Sequence, residues 1–134
     1  MELEYRHDPT GTTILDMGNG HVKVDLRFTP DTNIFLGQAT WVEHTLESIA
    51  KQAEKPLDVI FDLIHFEPTI WSAVMQARAR QGADNSTIVR KIAIIGDSLL
   101  FSIISVTLSL LTHNRDRIKY FFQMSDAKRW LEWE

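Results

Sequence analysis

The spacing of apolar residues changes along the chain, from a period of two near the N-terminus to helical and continuous patterns beyond it. From His21 to Arg27, apolar residues alternate strictly with polar ones, as in a strand with one face towards water. Gly18-Asn19-Gly20 precedes this segment, and both residue types adopt the positive φ of tight hairpin turns. The alternation and the turn residues together predict antiparallel strands over residues 3–5, 12–17 and 21–27.

A helical period follows this strand region. Six apolar residues recur at gaps of four and three, which is one face of an amphipathic helix: Phe35, Ala39, Val42, Leu46, Ile49 and Ala53. Asp31 or Thr32 can cap its start, and Lys55-Pro56 ends it.

Two nearly continuous apolar segments, 57–63 and 91–95, predict strands buried on both faces of a parallel sheet. A helix is predicted between them over 68–81, and another after Gly96-Asp97-Ser98. The last predicted strand covers 117–122. A short helix then begins at Ser125-Asp126, and its Trp130 and Trp133 are expected to hold it against the sheet.

This order of elements predicts a fold class. We expect one α/β domain over residues 1–134, with a mixed β-sheet in which N-terminal antiparallel strands precede a βαβαβαβα succession. Helices should pack on the faces of that sheet. The length agrees with one core, because most domains contain roughly 100–150 residues.

The segment from Ile92 to Thr112 is 21 residues long and has a single charged residue, Asp97, so its length is that of a membrane span. The turn at Gly96-Asp97-Ser98 divides it into a strand and a helix of about 14 residues, which are ordinary lengths for buried elements. We therefore expect no integral membrane span.

Hydroxyl side chains lie along one face of this apolar helix. Ser102, Ser105 and Ser109 follow one another at gaps of three and four. They indicate either core packing against a neighbouring helix or a contact surface for a second subunit, a regulatory partner or an apolar ligand.

Composition narrows the functional classes. The 134 residues include 14 Lys+Arg and 18 Asp+Glu, for a net charge of −4, and no cysteine. Disulfides, thiolate metal sites and cysteine nucleophiles are thereby excluded. The acidic balance argues against nucleic-acid binding, and the basic residues Arg78, Arg80, Arg90 and Lys91 form at most a modest patch. The charged N-terminus predicts no secretory leader and a cytoplasmic location.

Four side chains form the strongest candidate for chemistry. Asp62, His65 and Glu67 come at or just after the end of one predicted parallel strand, and Asp97 follows the next. Ligands of open α/β sheets bind beyond the carboxyl ends of the strands, so these groups could hold a divalent metal or act as acid and base. The three carboxylates also have structural interpretations: Asp62 as a strand-end hydrogen-bonding group, Asp97 as a helix cap and Glu67 as a helix N-terminal charge. We favour the structural interpretation, and predict a non-enzymatic protein without metal or cofactor.

The chain resembles the STAS domain. The matching stretches are 57–63, like the family's central strand ending in Asp-Leu; 91–97, like its next strand; and 117–122 followed by 125–131, like its last strand and small helix. This fold occurs in anti-sigma factor antagonists, in the cytoplasmic tails of sulfate transporters and in stand-alone bacterial STAS/Sec14-like proteins. The resemblance covers nearly the whole chain and rests on order and spacing.

The resemblance implies a regulatory domain that acts through protein contacts at residues 67–75, where the helix predicted over 68–81 begins. In phosphoregulated members, an Asp-Ser-Ser-Gly-like loop carries a serine that a partner kinase phosphorylates. This chain has Trp71 at about that position and lacks the Asp-Ser pair, leaving Thr69 and Ser72 as hydroxyl candidates. The expected partners are an anti-sigma-factor-like kinase or another regulator, and a second copy in a homodimer. The Sec14-like relatives imply the alternative, a binding module for an apolar or lipid-like ligand beneath the helix over 99–112.

Overall fold

The computed structural model describes residues 2–27, 29–65, 77–78, 88–97 and 117–133. The strands in this part of the chain are β1 (Leu3–His7), β2 (Thr12–Asp16), β3 (His21–Asp25), β4 (Leu57–Asp62), β5 (Val89–Ile95) and β6 (Ile118–Phe121). The helices bounded within it are α1 (Thr32–Ala53) and α2 (Met124–Trp130).

The six strands form one mixed sheet in sequence order, β1-β2-β3-β4-β5-β6. The pairs β1–β2 and β2–β3 are antiparallel, whereas β3–β4, β4–β5 and β5–β6 are parallel. Parallel neighbours need a long crossover, which the 22-residue α1 supplies between β3 and β4. The predicted α/β class and the mixed sheet with N-terminal antiparallel strands are therefore confirmed.

The turn between β2 and β3 has the predicted chemistry. Gly18, Asn19 and Gly20 all have positive φ, between 57° and 86°. At Gly20 a side chain would also collide, since an added Cβ would lie 2.7 Å from Cε of Lys55 and 3.3 Å from the carbonyl oxygen of Pro56. Glycine at this position lets the hairpin pack closely against the chain that enters β4.

Helix α1 begins and ends close to the predicted residues. Asp31 caps its start, because its Oδ1 accepts a hydrogen bond of 3.0 Å from the backbone N–H of Ile34. The buried face differs from the predicted one: Ala39 and Ala53 are only half-buried, whereas Gln38 and Ala50 are buried. A polar side chain therefore lies in the interface of helix and sheet.

The two faces of the sheet carry different cores. On one face, which we call the α1 face, residues of α1 pack against Ile14, Val22, Val24, Leu57 and Val59. On the opposite face, the α2 face, Ile60, Ala93 and Ile95 pack against Ala127, Leu131 and Trp133. The alternation predicted for Val22 and Val24 is confirmed. The other side of β3 was expected to meet water, but His21 stacks on the Trp133 ring with centroids 4.6 Å apart.

Other element boundaries shift by a few residues. β5 begins at Val89 rather than Lys91, with an irregularity opposite Leu57 and Asp58, and β6 covers 118–121. Of the helix predicted over 68–81, only Ala77 and Arg78 are among the described residues, and both are helical. The helix predicted after residue 98 lies outside them. Within the described residues, no helix has the length and apolarity to span a membrane.

Candidate functional site

The carboxyl ends of the parallel strands meet at one edge of the sheet, which we call the carboxyl edge. Here Asp25 of β3 pairs in register with Asp62 of β4, which pairs with Ile95 of β5. Backbone hydrogen bonds continue the ladder beyond the strand ends, from the N–H of Leu26 to the Asp62 carbonyl and from the N–H of Leu63 to the Ile95 carbonyl. Two carboxylates thus occupy equivalent positions on neighbouring strands.

Asp62 is a buried carboxylate that acts as a strand-end hydrogen-bonding group. Its Oδ1 accepts a bond of 3.1 Å from the backbone N–H of Ile64, which holds the turn after β4. This confirms the structural interpretation of Asp62. Its neighbour Asp25 accepts from the Arg27 guanidinium at 3.2 Å through Oδ2, while Oδ1 is buried and has no hydrogen-bond partner among the described residues.

The four predicted side chains do not assemble into one site within the described residues. His65 and Asp97 are exposed, and Glu67 lies outside the described part of the chain. No three His, Asp or Glu side chains in that part are close enough together to hold a metal ion. Sequence reasoning did not select Asp25, although its place at the end of an alternating strand was a usable signal.

The carboxyl edge also carries exposed apolar side chains. Ile64, in the turn after β4, is 65% exposed, and Phe122, directly after β6, is comparably exposed. Their strands are separated only by β5, so the two chain segments leave the sheet about 10 Å apart. These two side chains are exposed large apolar residues that the described part of the carboxyl edge offers to a partner.

A buried polar network joins α1 to the hairpin of β1 and β2. Nε2 of Gln38 donates to the Thr12 hydroxyl, to the Arg27 carbonyl at 3.1 Å and to the Thr10 hydroxyl at 3.3 Å. The Thr12 hydroxyl also accepts from the backbone N–H of Arg27 at 2.9 Å, and the Thr10 hydroxyl lies 2.8 Å from Nδ1 of His7. The network holds the helix against the hairpin.

The basic residues that suggested a patch are engaged separately. Arg78 forms two bonds to the Glu43 carboxylate, of 2.8 and 2.6 Å, which lower the pKa of Glu43 and raise that of Arg78. Arg90 forms two bonds to Asp58, of 2.9 and 2.6 Å, which raise the pKa of Arg90, and Lys91 lies over the Trp130 ring. Arg80 lies outside the described residues. The described three therefore form no continuous basic surface.

One tyrosine on the α1 face is strongly perturbed. Tyr120 of β6 packs beside the cluster of Phe35, Leu63 and Ile94. Burial in this apolar environment raises the pKa of Tyr120 to about 12, because the phenolate would be poorly solvated there.

The predicted regulatory residues lie outside the described part of the chain. This holds for Thr69, Trp71 and Ser72 of the expected phosphorylation loop, and equally for Ser102, Ser105 and Ser109 of the expected contact helix. Their roles stay predictions. The described residues that precede the expected loop end at His65, which directly follows Ile64.

Comparison with known proteins gives no relative: no family model, no curated protein and no solved structure matches this chain.

Proposed function

We propose that this chain is a non-enzymatic regulatory domain of the STAS type, which acts in the cytoplasm by binding another protein at the carboxyl edge of its sheet. The observation that carries the proposal is the exposure of Ile64 in the turn after β4. This turn leads directly to the segment 67–75, where the resemblance to STAS domains implies the partner contact. Burial of this apolar side chain against a partner removes it from water, which stabilises the complex.

The order of the elements supports the same proposal. The antiparallel pair β1–β2, the four parallel strands β3 to β6 and the small helix α2 packed on the sheet agree with the mixed α/β sheet that was predicted. The buried Asp62 supports it as well, because its Oδ1 organises the turn that presents Ile64. A carboxylate used in this way fixes the local backbone geometry.

The proposal does not require the phosphorylation switch of the anti-sigma factor antagonists. If such a switch operates here, Thr69 or Ser72 receives the phosphate, since Trp71 has no hydroxyl. Incubation of the wild type and of Thr69→Ala and Ser72→Ala with a candidate kinase and labelled ATP distinguishes the two forms of the proposal. Label lost in only one variant identifies the acceptor, whereas an unlabelled wild type shows that this kinase does not act on the chain.

Site-specific photocrosslinking tests the proposed binding surface. A photoreactive amino acid replaces Ile64 in one variant and the exposed Gln52 of α1 in a matched control, and both are expressed in the source cells. We expect a discrete crosslinked protein with the variant at position 64 and none with the control. The same products from both positions, or none from either, would contradict the proposal.

A further inference from the structure

The outer side of β1 forms a lateral edge of the sheet in the part of the chain that the structure describes. Among the described residues, β1 is the terminal strand of the sheet and pairs only with β2. The hydrogen-bond pattern shows which of its backbone groups point outwards. The N–H of Met17 donates to the His21 carbonyl, so the odd-numbered residues of β2 bond to β3 and the even-numbered residues bond to β1.

The residues that face outwards follow from this alternation. Ile14 is opposite Tyr5, so the backbone groups of Tyr5 are directed at β2. The backbone N–H and C=O groups of Glu4 and Arg6 are therefore directed away from the sheet. Both side chains are exposed as well. The contact of Arg6 with Asp8, at 3.9 Å between two highly exposed side chains, is too weak to hold Arg6 in place.

We propose that β1 pairs antiparallel with β1 of a second copy of this chain, on a two-fold axis at Tyr5. In this register Glu4 of each copy lies opposite Arg6 of the other, as a hydrogen-bonded pair. Both outward N–H groups and both outward C=O groups are then used, and two pairs of opposite charge face each other on the α2 side of the sheet. The two sheets join into one continuous sheet of twice the width.

Charge selects this register over its neighbours. A shift by one hydrogen-bonded step places Glu4 opposite Glu4 and Arg6 opposite Glu2 in one direction, and Arg6 opposite Arg6 and Glu4 opposite Asp8 in the other. Like charges in direct opposition are destabilising, and the Glu2–Arg6 pairs of the first alternative involve a residue outside β1. Glu2 and Asp8 are opposed in the proposed register, but both lie outside β1 and are not held by the ladder. The inference is independent of the proposed function, because β1 is separated by two strands from β4, whose following turn carries Ile64.

Two charge-reversal variants test the pairing. In Glu4→Arg and in Arg6→Glu, every cross-strand pair becomes one of like charge, whereas an equimolar mixture of the two variants restores opposite charges. By sedimentation velocity, we expect a concentration-dependent dimer for the wild type, loss of the dimer for each variant alone and its return in the mixture. Because these side chains are exposed, the circular dichroism spectra should be unchanged.

A disulfide tests the register itself. The chain has no cysteine, so one introduced thiol gives an unambiguous product. Tyr5→Cys places two thiols across the axis, with Cα atoms about 4.5 Å apart, within disulfide range. The control Leu3→Cys lies on the same face, but its two copies are offset by four residues, about 13 Å. We expect oxidation to link Tyr5→Cys and not Leu3→Cys. A monomeric wild type, a mixture that remains monomeric, or equal crosslinking of both variants would overturn the inference.

Discussion

The substitution Gln38→Glu changes one atom in the buried network and should strongly destabilise the fold. Nε2 of Gln38 is the only donor of that side chain, and three oxygen atoms surround it: two hydroxyls and the Arg27 carbonyl. Glutamate keeps the shape and replaces this donor by an acceptor. The Thr10 and Thr12 hydroxyls can rotate to donate to the new carboxylate, but the Arg27 carbonyl cannot, so the substitution opposes two acceptors at a residue that is only 1% exposed.

The magnitude follows from the loss of donors and the burial of a charge. The acceptor of the Arg27 carbonyl left without a donor costs about 1–3 kcal/mol, and burial of a carboxylate that only two hydroxyls can solvate adds several kcal/mol. Protonation of the new carboxyl limits the sum, since burial raises its pKa in the folded state and the protonated form recovers one donor. We expect a loss of about 3–5 kcal/mol at pH 7, and a smaller loss as the pH is lowered towards 4.

Urea titrations followed by circular dichroism measure this effect, with Gln52→Glu as the matched control. Gln52 lies on the exposed side of the same helix, so the identical substitution there should change the free energy of unfolding by less than about 0.5 kcal/mol. If Gln38→Glu were as stable as the wild type at pH 7, or if its loss did not decrease on acidification, the network as described would be refuted.

Three further predictions concern the ion pairs and the buried tyrosine. Arg90→Ala should lower the free energy of unfolding by about 1–3 kcal/mol, because Asp58 is only 6% exposed and loses both of its bonds to Arg90, which is itself half exposed. In the same urea titration, Arg90→Lys should lower it by less. The lowered pKa of Glu43 means that its pair with Arg78 stabilises the fold above the ordinary value of 4.5 and loses that contribution as the pH falls below it. With Glu43 37% exposed, the contribution is at most about 1 kcal/mol, and thermal unfolding of Arg78→Ala from pH 7 to pH 3 should lack it. Ultraviolet titration should show one tyrosine ionising near pH 12, a transition that Tyr120→Phe removes.

The sequence predicted those elements whose signals are local. Strict alternation placed Val22 and Val24 in the core, the helical period located α1 to within a few residues, and the cap at Asp31 follows from the side chain alone. The packing of Trp133 was also predictable, because the large apolar surface of an indole ring near a short helix is buried most readily against the sheet.

Features that depend on distant partners were not predictable in the same way. Gln38 is buried because the β1–β2 turn and the Arg27 carbonyl supply acceptors from residues more than ten positions away. Asp58 lies in a strand whose other residues are almost all apolar, and its buried carboxylate is paired with Arg90. Arg90 is placed there by the irregularity in the register between β4 and β5. The apposition of Asp25 and Asp62 required the pairing of β3 with β4, which periodicity does not specify.

The most direct test of the account starts from the partner protein that crosslinking at position 64 identifies. Once this partner is purified, its affinity is measured for the wild type, for Ile64→Asp and for Leu3→Asp. Isothermal titration should show that Ile64→Asp weakens binding at least about tenfold, which corresponds to about 1.4 kcal/mol. Leu3→Asp, an equally drastic change of an exposed apolar residue at the opposite end of the sheet, should bind as the wild type does. Equal affinity of Ile64→Asp and the wild type would contradict a contact surface at the carboxyl edge.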